Sequence, residues 1–349
     1  MTPPNPHAAS ENRSGRDALS GVLFVGLFSA AVVQLATLPA IRAIGLSPLV
    51  IGIVCGMLFG NFLRGDMPTG WNAGVHFSAK RLLRIAVAFY GLNVSVQQIA
   101  SIGMPGIVVS LGIVVSTLVV GVVAGRKLFG LDRDTALLTA AGSAICGAAA
   151  VLAFESTLRS QPHKSAVAVA TVVLFGTLSM FLYPVIYHWG ILGFDTRGWG
   201  LFIGGTVHEV AQVVATASNI DAATTHAATI VKMTRVALLI PVLLALGFWI
   251  RMQARAKGSA ADAAGVPIPW FAFGFLLLAG INSLGIIPEA ALDTIRRLDV
   301  FALTMAMTAM GMETRFSNIR KAGPKVMMLG ALIYVWLFFA GYSLVKWVS

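Results

Sequence analysis

An ionisable dipeptide, His208-Glu209, lies inside an apolar run that extends from Trp199 to Ala217. Ionisable residues within a membrane segment are costly and mark functional sites. Histidine titrates near neutral pH, and buried carboxyl groups can titrate in the same range. The two side chains can therefore exchange a proton, which makes His208 and Glu209 candidate ion-coupling residues.

Gln212 follows this dipeptide at helical spacing, four residues after His208 and three after Glu209. In a continuous helix, residues at these spacings are neighbours on one face. A zinc-protease helix needs a second histidine where Gln212 stands, so no metal site is expected. The alternative to a transport site is a structural hydrogen-bond cluster that joins helices.

Two pairs of small residues have the same layout in different apolar runs. Gly142-Ser143 stands ahead of Cys146-Gly147, and Gly205-Thr206 stands ahead of His208. Such pairs weaken a helix where it must be interrupted to expose backbone groups. A half-helix that starts at each pair would bind an anion through its free N–H groups, although close packing of small residues is the alternative. The predicted substrate-binding residues are Gly142, Ser143, Cys146, Gly147, Gly205, Thr206, His208 and Gln212.

Two basic residues, Lys232 and Arg235, lie one helical turn apart in a later apolar run. Their long side chains can extend to the outer membrane interface. Alternatively they point inward and hold either the anion or Glu209, which makes them further candidate ion-coupling residues. The sequence leaves both interpretations open.

These residues belong to a chain whose composition is that of a polytopic membrane protein. Of 349 residues, 57% are hydrophobic and 11% are charged, whereas about a quarter of the residues in soluble domains are charged. The two cysteines both lie in apolar runs, so neither a disulfide framework nor a metal site is expected. The net charge of +11 comes from basic residues in short loops, which explains it without nucleic-acid binding.

The predicted fold is all-α, with about eleven apolar segments that have the length of a membrane span. Residues 1–17 are expected to form a disordered cytoplasmic tail, and residues 18–349 a single transmembrane domain. Most Lys and Arg residues then fall on the same side as the N-terminus, which places the N-terminus in the cytoplasm and the C-terminus in the periplasm. The segments 135–154 and 199–219 can be full spans or re-entrant hairpins, and the ends of the chain keep their sides in both cases.

An internal repeat relates two regions at a constant offset. Gly91-Leu92-Asn93 with Gly103 matches Gly311-Met312-Glu313 with Gly323, and apolar spans follow both. The matched segments are predicted to cross the membrane in opposite directions, with repeat halves at about 46–190 and 199–349. Inverted repeats with paired, glycine-interrupted segments are typical of secondary transporters, whose sites lie near the membrane midplane.

The motifs from Gly142 to Val151, from Gly205 to Val214 and around Gly311 to Lys325 resemble those of the bacterial sulfate exporter family of conserved membrane proteins. The resemblance runs from about residue 40 to the C-terminus. It implies a relation to the sodium/proton antiporters and bile-acid/sodium symporters. It therefore implies inverted repeats, interrupted helices and a core that moves against a fixed scaffold.

The sequence thus favours a secondary active transporter of a small inorganic or organosulfur anion, such as sulfate, sulfite or a sulfonate-like oxyanion, in the bacterial inner membrane. The coupling ion would be H⁺ or Na⁺, and the surrounding partner is the lipid bilayer. The runner-up is a cation/proton antiporter that uses Glu209, and an intramembrane enzyme or a sensor is the alternative class. No cofactor is predicted, no enzyme motif is found, and the question of a homodimer stays open.

Overall fold

The computed structural model describes residues 6–38, 47–63, 68–256, 270–317 and 323–348, and all regular structure in these ranges is helical. The α-helices, in chain order, are α1 (Pro6–Thr37), α2 (Pro48–Leu58), α3 (Asn72–Phe77), α4 (Leu83–Phe89), α5 (Val96–Val123), α6 (Arg133–Ala144), α7 (Ala148–Leu158), α8 (Pro162–His188), α9 (Thr196–Thr206), α10 (Val210–Ala217), α11 (Ala222–Ala237), α12 (Leu239–Ala256), α13 (Trp270–Ser283), α14 (Glu289–Glu313) and α15 (Pro324–Val348). Single π-helical turns extend α2, α3 and α5.

Long apolar helices in the described ranges confirm the prediction of an all-α polytopic membrane protein. Five are long and apolar enough to cross a membrane: Asp17–Thr37, Ile99–Leu128, His163–His188, Ala222–Met252 and Pro324–Val348. Shorter apolar helices cover Pro48–Leu63, Ala148–Leu158 and Phe273–Ser283. Helix α1 begins at Pro6, within the segment predicted to be a tail.

The chain divides into two compact units, and each unit is built from two stretches that are separate in sequence. The first unit comprises Met1–Asn93 and Gly274–Phe316, and the second comprises Val94–Phe273 and Ser317–Ser349. In the first unit a row of glycines brings α2 against α14: a Cβ atom at Gly56 would collide with the backbone carbonyl of Thr308, and one at Gly60 with that of Met312. Small residues at four-residue spacing permit this close approach of two helices.

In the second unit, α5 and α15 are the matched spans of the internal repeat, and they run antiparallel. Gly112 of α5 faces Leu344 of α15, whereas Gly125, in the π-helical turn that extends α5, faces Leu329, which comes earlier in α15. The repeat is therefore inverted, as predicted. Its two equivalent glycines both have a positive φ, +53° at Gly103 and +81° at Gly323.

The segments 135–154 and 199–219 are both interrupted helices, which confirms the prediction made from their paired small residues. The first breaks between α6 and α7, where Ile145 leaves helical geometry and Gly147 has a φ of +76°. The second breaks between α9 and α10, where Val207 and Glu209 are extended, with ψ angles of 144° and 154°. Each break exposes backbone groups that a continuous helix would pair internally.

Candidate functional site

The two breaks meet inside the second unit, with Gly147 of one against Glu209 of the other. A Cβ atom at Gly147 would lie 2.7 Å from Glu209 Oε1 and 2.9 Å from its carboxyl carbon. The positive φ of Gly147 also favours glycine at this position. The crossing therefore depends on Gly147 for two separate reasons.

The paired small residues do not start the half-helices, which corrects the prediction from sequence. Gly142-Ser143 lies in the last turn of α6, and Gly205-Thr206 lies in the last turn of α9. They present backbone carbonyls to the crossing, and the free amides belong instead to the starts of α7 and α10, at Ala148 and Val210. Paired small residues predict where a helix is interrupted, but they do not tell which of its two ends they occupy.

The carbonyl ends of α6 and α9 are both held by Arg235 of α11. Its Nε donates to Ala144 O (3.1 Å), Nη1 donates to Gly204 O and Val207 O (3.1 Å each), and Nη2 donates to Ser143 O (3.0 Å) and Ala144 O (2.5 Å). A guanidinium group has five N–H donors. All five therefore have acceptors at the two helix ends.

Lys232, one turn earlier on α11, continues the same pattern. Its ammonium group donates to Ile145 O (2.8 Å), Val207 O (2.8 Å) and His208 O (2.5 Å). These three bonds use its three hydrogens. Both basic side chains are 0% exposed, so the interpretation in which they extend to the outer interface is wrong.

The two cations lie where the ends of two helices carry partial negative charge. The last carbonyls of a helix have no partner within it, and the macrodipole makes that end negative. Lys232 and Arg235 satisfy both requirements for α6 and α9 together. Helix α11 thereby joins both interrupted helices through side-chain-to-backbone hydrogen bonds.

Glu209 supplies the opposite charge at the amide ends. Its Oε1 accepts a hydrogen bond from Ala148 N (3.1 Å) at the start of α7. The same carboxylate accepts from the backbone N–H of Gln212, and Gln212 Oε1 accepts from Glu209 N (3.1 Å), which forms a capping box at the start of α10. The protein's own carboxylate therefore occupies the position that was predicted for a bound anion.

Gln212 connects this capping box to α8. Its side chain packs on Gly176, where a Cβ atom would collide with the amide, and its Nε2 contacts Val173 O at 3.5 Å. His208 precedes the first turn of α10, so the predicted stacking of His208 and Gln212 on one helix face is wrong. The spacing between Glu209 and Gln212 does bring them together, as predicted.

His208 is buried beside these charged groups. It is 1% exposed, and neither ring nitrogen has a hydrogen-bond partner among the described residues. Its ring lies against that of Tyr334 on α15, with centroids 6.3 Å apart and planes 25° apart. An unpaired polar group in a buried position is costly, so this imidazole requires an explanation.

The other predicted residues are buried around the breaks. Thr206 donates its hydroxyl to Phe202 O (2.7 Å), and Gly205 faces Val109 of α5. Cys146 is a free cysteine, 5% exposed, within the first break. Within the described residues, no group of three or more His, Cys, Asp or Glu side chains could hold a metal ion.

Sequence reasoning missed three buried polar residues. Tyr183 of α8 and Tyr334 of α15 have hydroxyls without a hydrogen-bond partner among the described residues. Asp299 of α14, in the first unit, is 4% exposed, and neither carboxyl oxygen is paired in the described part of the chain. A tyrosine in an apolar run is only a weak indication of a functional site. Asp299 could have been identified from the sequence, because it is an ionisable residue within the apolar segment 298–313.

Comparison with known proteins gives a family without an assigned activity. The family model described as conserved hypothetical protein 698 matches residues 20–330. A UPF0324 membrane protein of Bordetella pertussis is 71% identical over 331 residues, which cover 95% of each chain. One of Pseudomonas putida is 59% identical over 98% of this chain and 96% of its own.

A more distant relative is the UPF0324 inner membrane protein YeiH of Salmonella typhimurium. It is 40% identical over 93% of this chain and 91% of its own. No solved structure matches the chain. The relatives extend over nearly the whole chain, so both interrupted helices lie within the matched region.

Proposed function

Because this chain belongs to the conserved hypothetical protein 698 family of membrane proteins, we propose a function from its own geometry: secondary active transport of a small anion. The observation that carries the proposal is the meeting of two interrupted helices whose four free ends share three buried charged side chains. Such discontinuous helices within inverted repeats are the arrangement in which transporters bind substrate and coupling ions.

The charge at the crossing favours an anion. Lys232 and Arg235 are two cations, Glu209 is one carboxylate, and all three are buried. The formal excess is therefore one positive charge, and an unbalanced charge in a low-dielectric site is costly. A bound monoanion, or a dianion together with a proton, would offset this excess.

The resemblance to the sulfate exporter family adds the substrate class. We propose sulfate, sulfite or a sulfonate-like oxyanion, carried across the bacterial inner membrane with the N-terminus in the cytoplasm and the C-terminus in the periplasm. Tetrahedral oxyanions have several acceptor oxygens. They match a site where hydrogen-bond donors and positive charge are both buried.

Coupling is assigned to Glu209 and His208. An anion next to an ionised Glu209 would be repelled by several kcal/mol at low effective dielectric. Anion binding should therefore accompany proton uptake, on Glu209 or on the imidazole of His208 beside it. Release of the proton would then accompany release of the anion.

The test is uptake by the purified protein in proteoliposomes. Labelled sulfate, sulfite and taurine are supplied separately, with a pH gradient, a sodium gradient, both or neither, against protein-free liposomes. The proposal predicts that at least one of these anions accumulates when a gradient is imposed and that collapse of the gradient with an ionophore stops it. Uptake of none of them under any gradient would contradict the proposal.

A cation/proton antiporter is the second candidate, since a buried carboxylate, Glu209, lies at the crossing itself. An antiporter of this kind would change the pH inside the liposomes when Na⁺ or K⁺ is added, even in the absence of sulfate, sulfite and taurine. The same vesicles with an internal pH dye distinguish the two candidates. An enzyme or a sensor would give neither signal.

A further inference from the structure

Three neutral side chains from three different elements leave hydrogen-bonding groups unused next to the crossing. His208 lies at the second break, Tyr183 on α8 and Tyr334 on α15, and they are 1%, 0% and 8% exposed. Neither nitrogen of the imidazole has a hydrogen-bond partner among the described residues, and the same holds for both phenol oxygens. Three such groups together are unusual, because buried polar atoms are nearly always paired.

The hydroxyls nearby do not satisfy these groups. The Tyr183 hydroxyl lies close to Thr206 and Ser179, and that of Tyr334 lies close to Ser179 and to Tyr183, in each case without hydrogen-bond geometry. Thr206 donates its hydrogen to Phe202 O (2.7 Å), and Ser179 donates its hydrogen to Phe175 O (3.0 Å). Both hydroxyl hydrogens are thus already used within their own helices.

Apolar rings pack against both tyrosines, and the ring of His208 lies against that of Tyr334. Tyr334 stacks on Phe175, with centroids 5.5 Å apart, and Tyr183 packs on Phe202 at 5.0 Å. The positive charges of Lys232 and Arg235 act on His208, and that of Arg235 acts on Tyr183. The unused groups therefore lie among aromatic rings and close to the positive charges of Lys232 and Arg235.

Each of the three can donate one hydrogen: the two phenol O–H groups and the single N–H of a neutral imidazole. A site with several neutral donors, positive potential and no paired acceptor matches a ligand made of acceptor oxygens.

We propose that His208, Tyr183 and Tyr334 form the subsite that hydrogen-bonds the oxygens of the transported oxyanion. This inference rests on the proposed function and names the substrate contacts within it. The subsite is closed in this structure, because its side chains are buried, so the anion reaches it only in another conformation of the protein. Lys232 and Arg235 contribute charge, since their own hydrogens are held by backbone carbonyls.

The test replaces each phenol by a benzene ring, in Tyr183→Phe and Tyr334→Phe. The matched controls are Tyr187→Phe on α8 and Tyr342→Phe on α15, whose rings pack on Trp199 and Phe194 respectively. Uptake kinetics are measured in proteoliposomes with sulfate, sulfite and taurine, and thermal unfolding is measured in detergent.

Loss of one hydrogen bond to an anion should raise KM by about tenfold or more in each subsite variant. The control variants should keep the KM of the parent. Thermal stability should be unchanged or slightly higher in the subsite variants, because each removes a buried hydroxyl that has no partner in the described structure. A raised KM with unchanged or higher stability indicates a contact with the substrate. A structural role would instead lower the stability and leave the KM unchanged.

The outcomes distinguish this inference from the function on which it rests. Should the parent take up an anion while both subsite variants keep its KM, the subsite is wrong and the transport function stands. Should the variants lose stability and uptake together, the hydroxyls are structural and the subsite is again wrong. Should the parent take up none of the three anions, the proposed function fails first.

Discussion

At the scale of single residues, Lys232 and Arg235 show how buried charges can serve the backbone. Their donors are directed at the carbonyls where α6 and α9 end, and both side chains are fully buried. A charged residue in an apolar span predicts a function. The partners of such a residue follow only from the fold, because the six carbonyls that Lys232 and Arg235 bind lie 24 to 92 residues away in sequence.

The replacement Lys232→Met tests this role. It removes the ammonium donor from the carbonyls of Ile145 and His208, and it leaves Val207 O with only its bond from Arg235. We expect a loss of about 3–5 kcal/mol in the free energy of unfolding, as when one partner of a buried charged pair is removed. Thermal unfolding in detergent measures it, with Lys346→Met near the end of α15 as the control. A melting temperature equal to that of the parent would show that the three bonds contribute little.

Cys146 lies in the first break, but it is a small buried residue with no assigned chemistry. We expect Cys146→Ala to keep most of the uptake activity and to cost about 1 kcal/mol in stability, since only one atom is removed from a packed position. Uptake by the purified variant in proteoliposomes measures this. A variant that remains folded and transports nothing would show that the thiol takes part.

At the scale of elements, the two interrupted helices depend on Gly147, the point where one break touches the other. An added Cβ would overlap Glu209, and the residue has a φ of +76°. We expect Gly147→Ala to lower the free energy of unfolding by about 2 kcal/mol or more, from backbone strain and the clash combined. Gly130→Ala is the control, because its φ is +62° and no atom lies within 4 Å of an added Cβ. Equal effects at both positions would contradict the contact between the breaks.

An N-terminal cap with an ion pair stabilises the start of α6. Asp132 accepts hydrogen bonds from Thr135 N (3.2 Å) and Thr135 Oγ1 (2.6 Å) and pairs with Lys164 Nζ (2.7 Å) on α8. Partial burial disfavours the charged form, but the hydrogen bonds from Lys164 and Thr135 outweigh it, and the pKa of Asp132 falls to about 2.

A lowered carboxyl pKa gives this cap a defined pH dependence. Its stabilisation is complete above the unfolded pKa of about 4 and is lost as the pH falls through about 2. The variant Asp132→Asn keeps the capping oxygen and loses the charge. We therefore expect its melting temperature to lie below that of the parent at pH 6 and to approach it towards pH 2. A difference that does not change with pH would contradict the ion pair.

The sequence predicted the interruption of both helices because paired small residues and an ionisable dipeptide are local signals. It placed the predicted anion site at Gly142-Ser143 and Gly205-Thr206, whereas the structure puts those pairs at carbonyl ends. The direction of each half-helix and the contact of Glu209 with Ala148 depend on tertiary packing. No periodicity or motif in a single sequence indicates them. The same holds for Tyr183 and Tyr334, which meet His208 only through the packing of α8 and α15.

At the scale of the whole molecule, both interrupted helices end within the same compact unit. Two interrupted helices bring two carbonyl ends and two amide ends into one unit, so one set of cations and one carboxylate can serve both. The two interrupted helices can move apart only if the charged side chains that join their ends find other partners. In the proposed function, a transported anion and a proton are such partners.

The most direct measurement is pH-driven uptake by the Glu209→Gln variant beside the parent, with whichever of sulfate, sulfite and taurine the parent accumulates. Glutamine keeps an oxygen for Ala148 N and mimics the protonated acid. We predict that the parent responds to the pH gradient, and that the variant still binds the anion in calorimetry but transports it independently of that gradient. Parent uptake that ignores pH, together with loss of binding in Glu209→Gln, would show that the carboxylate is structural and would contradict the account.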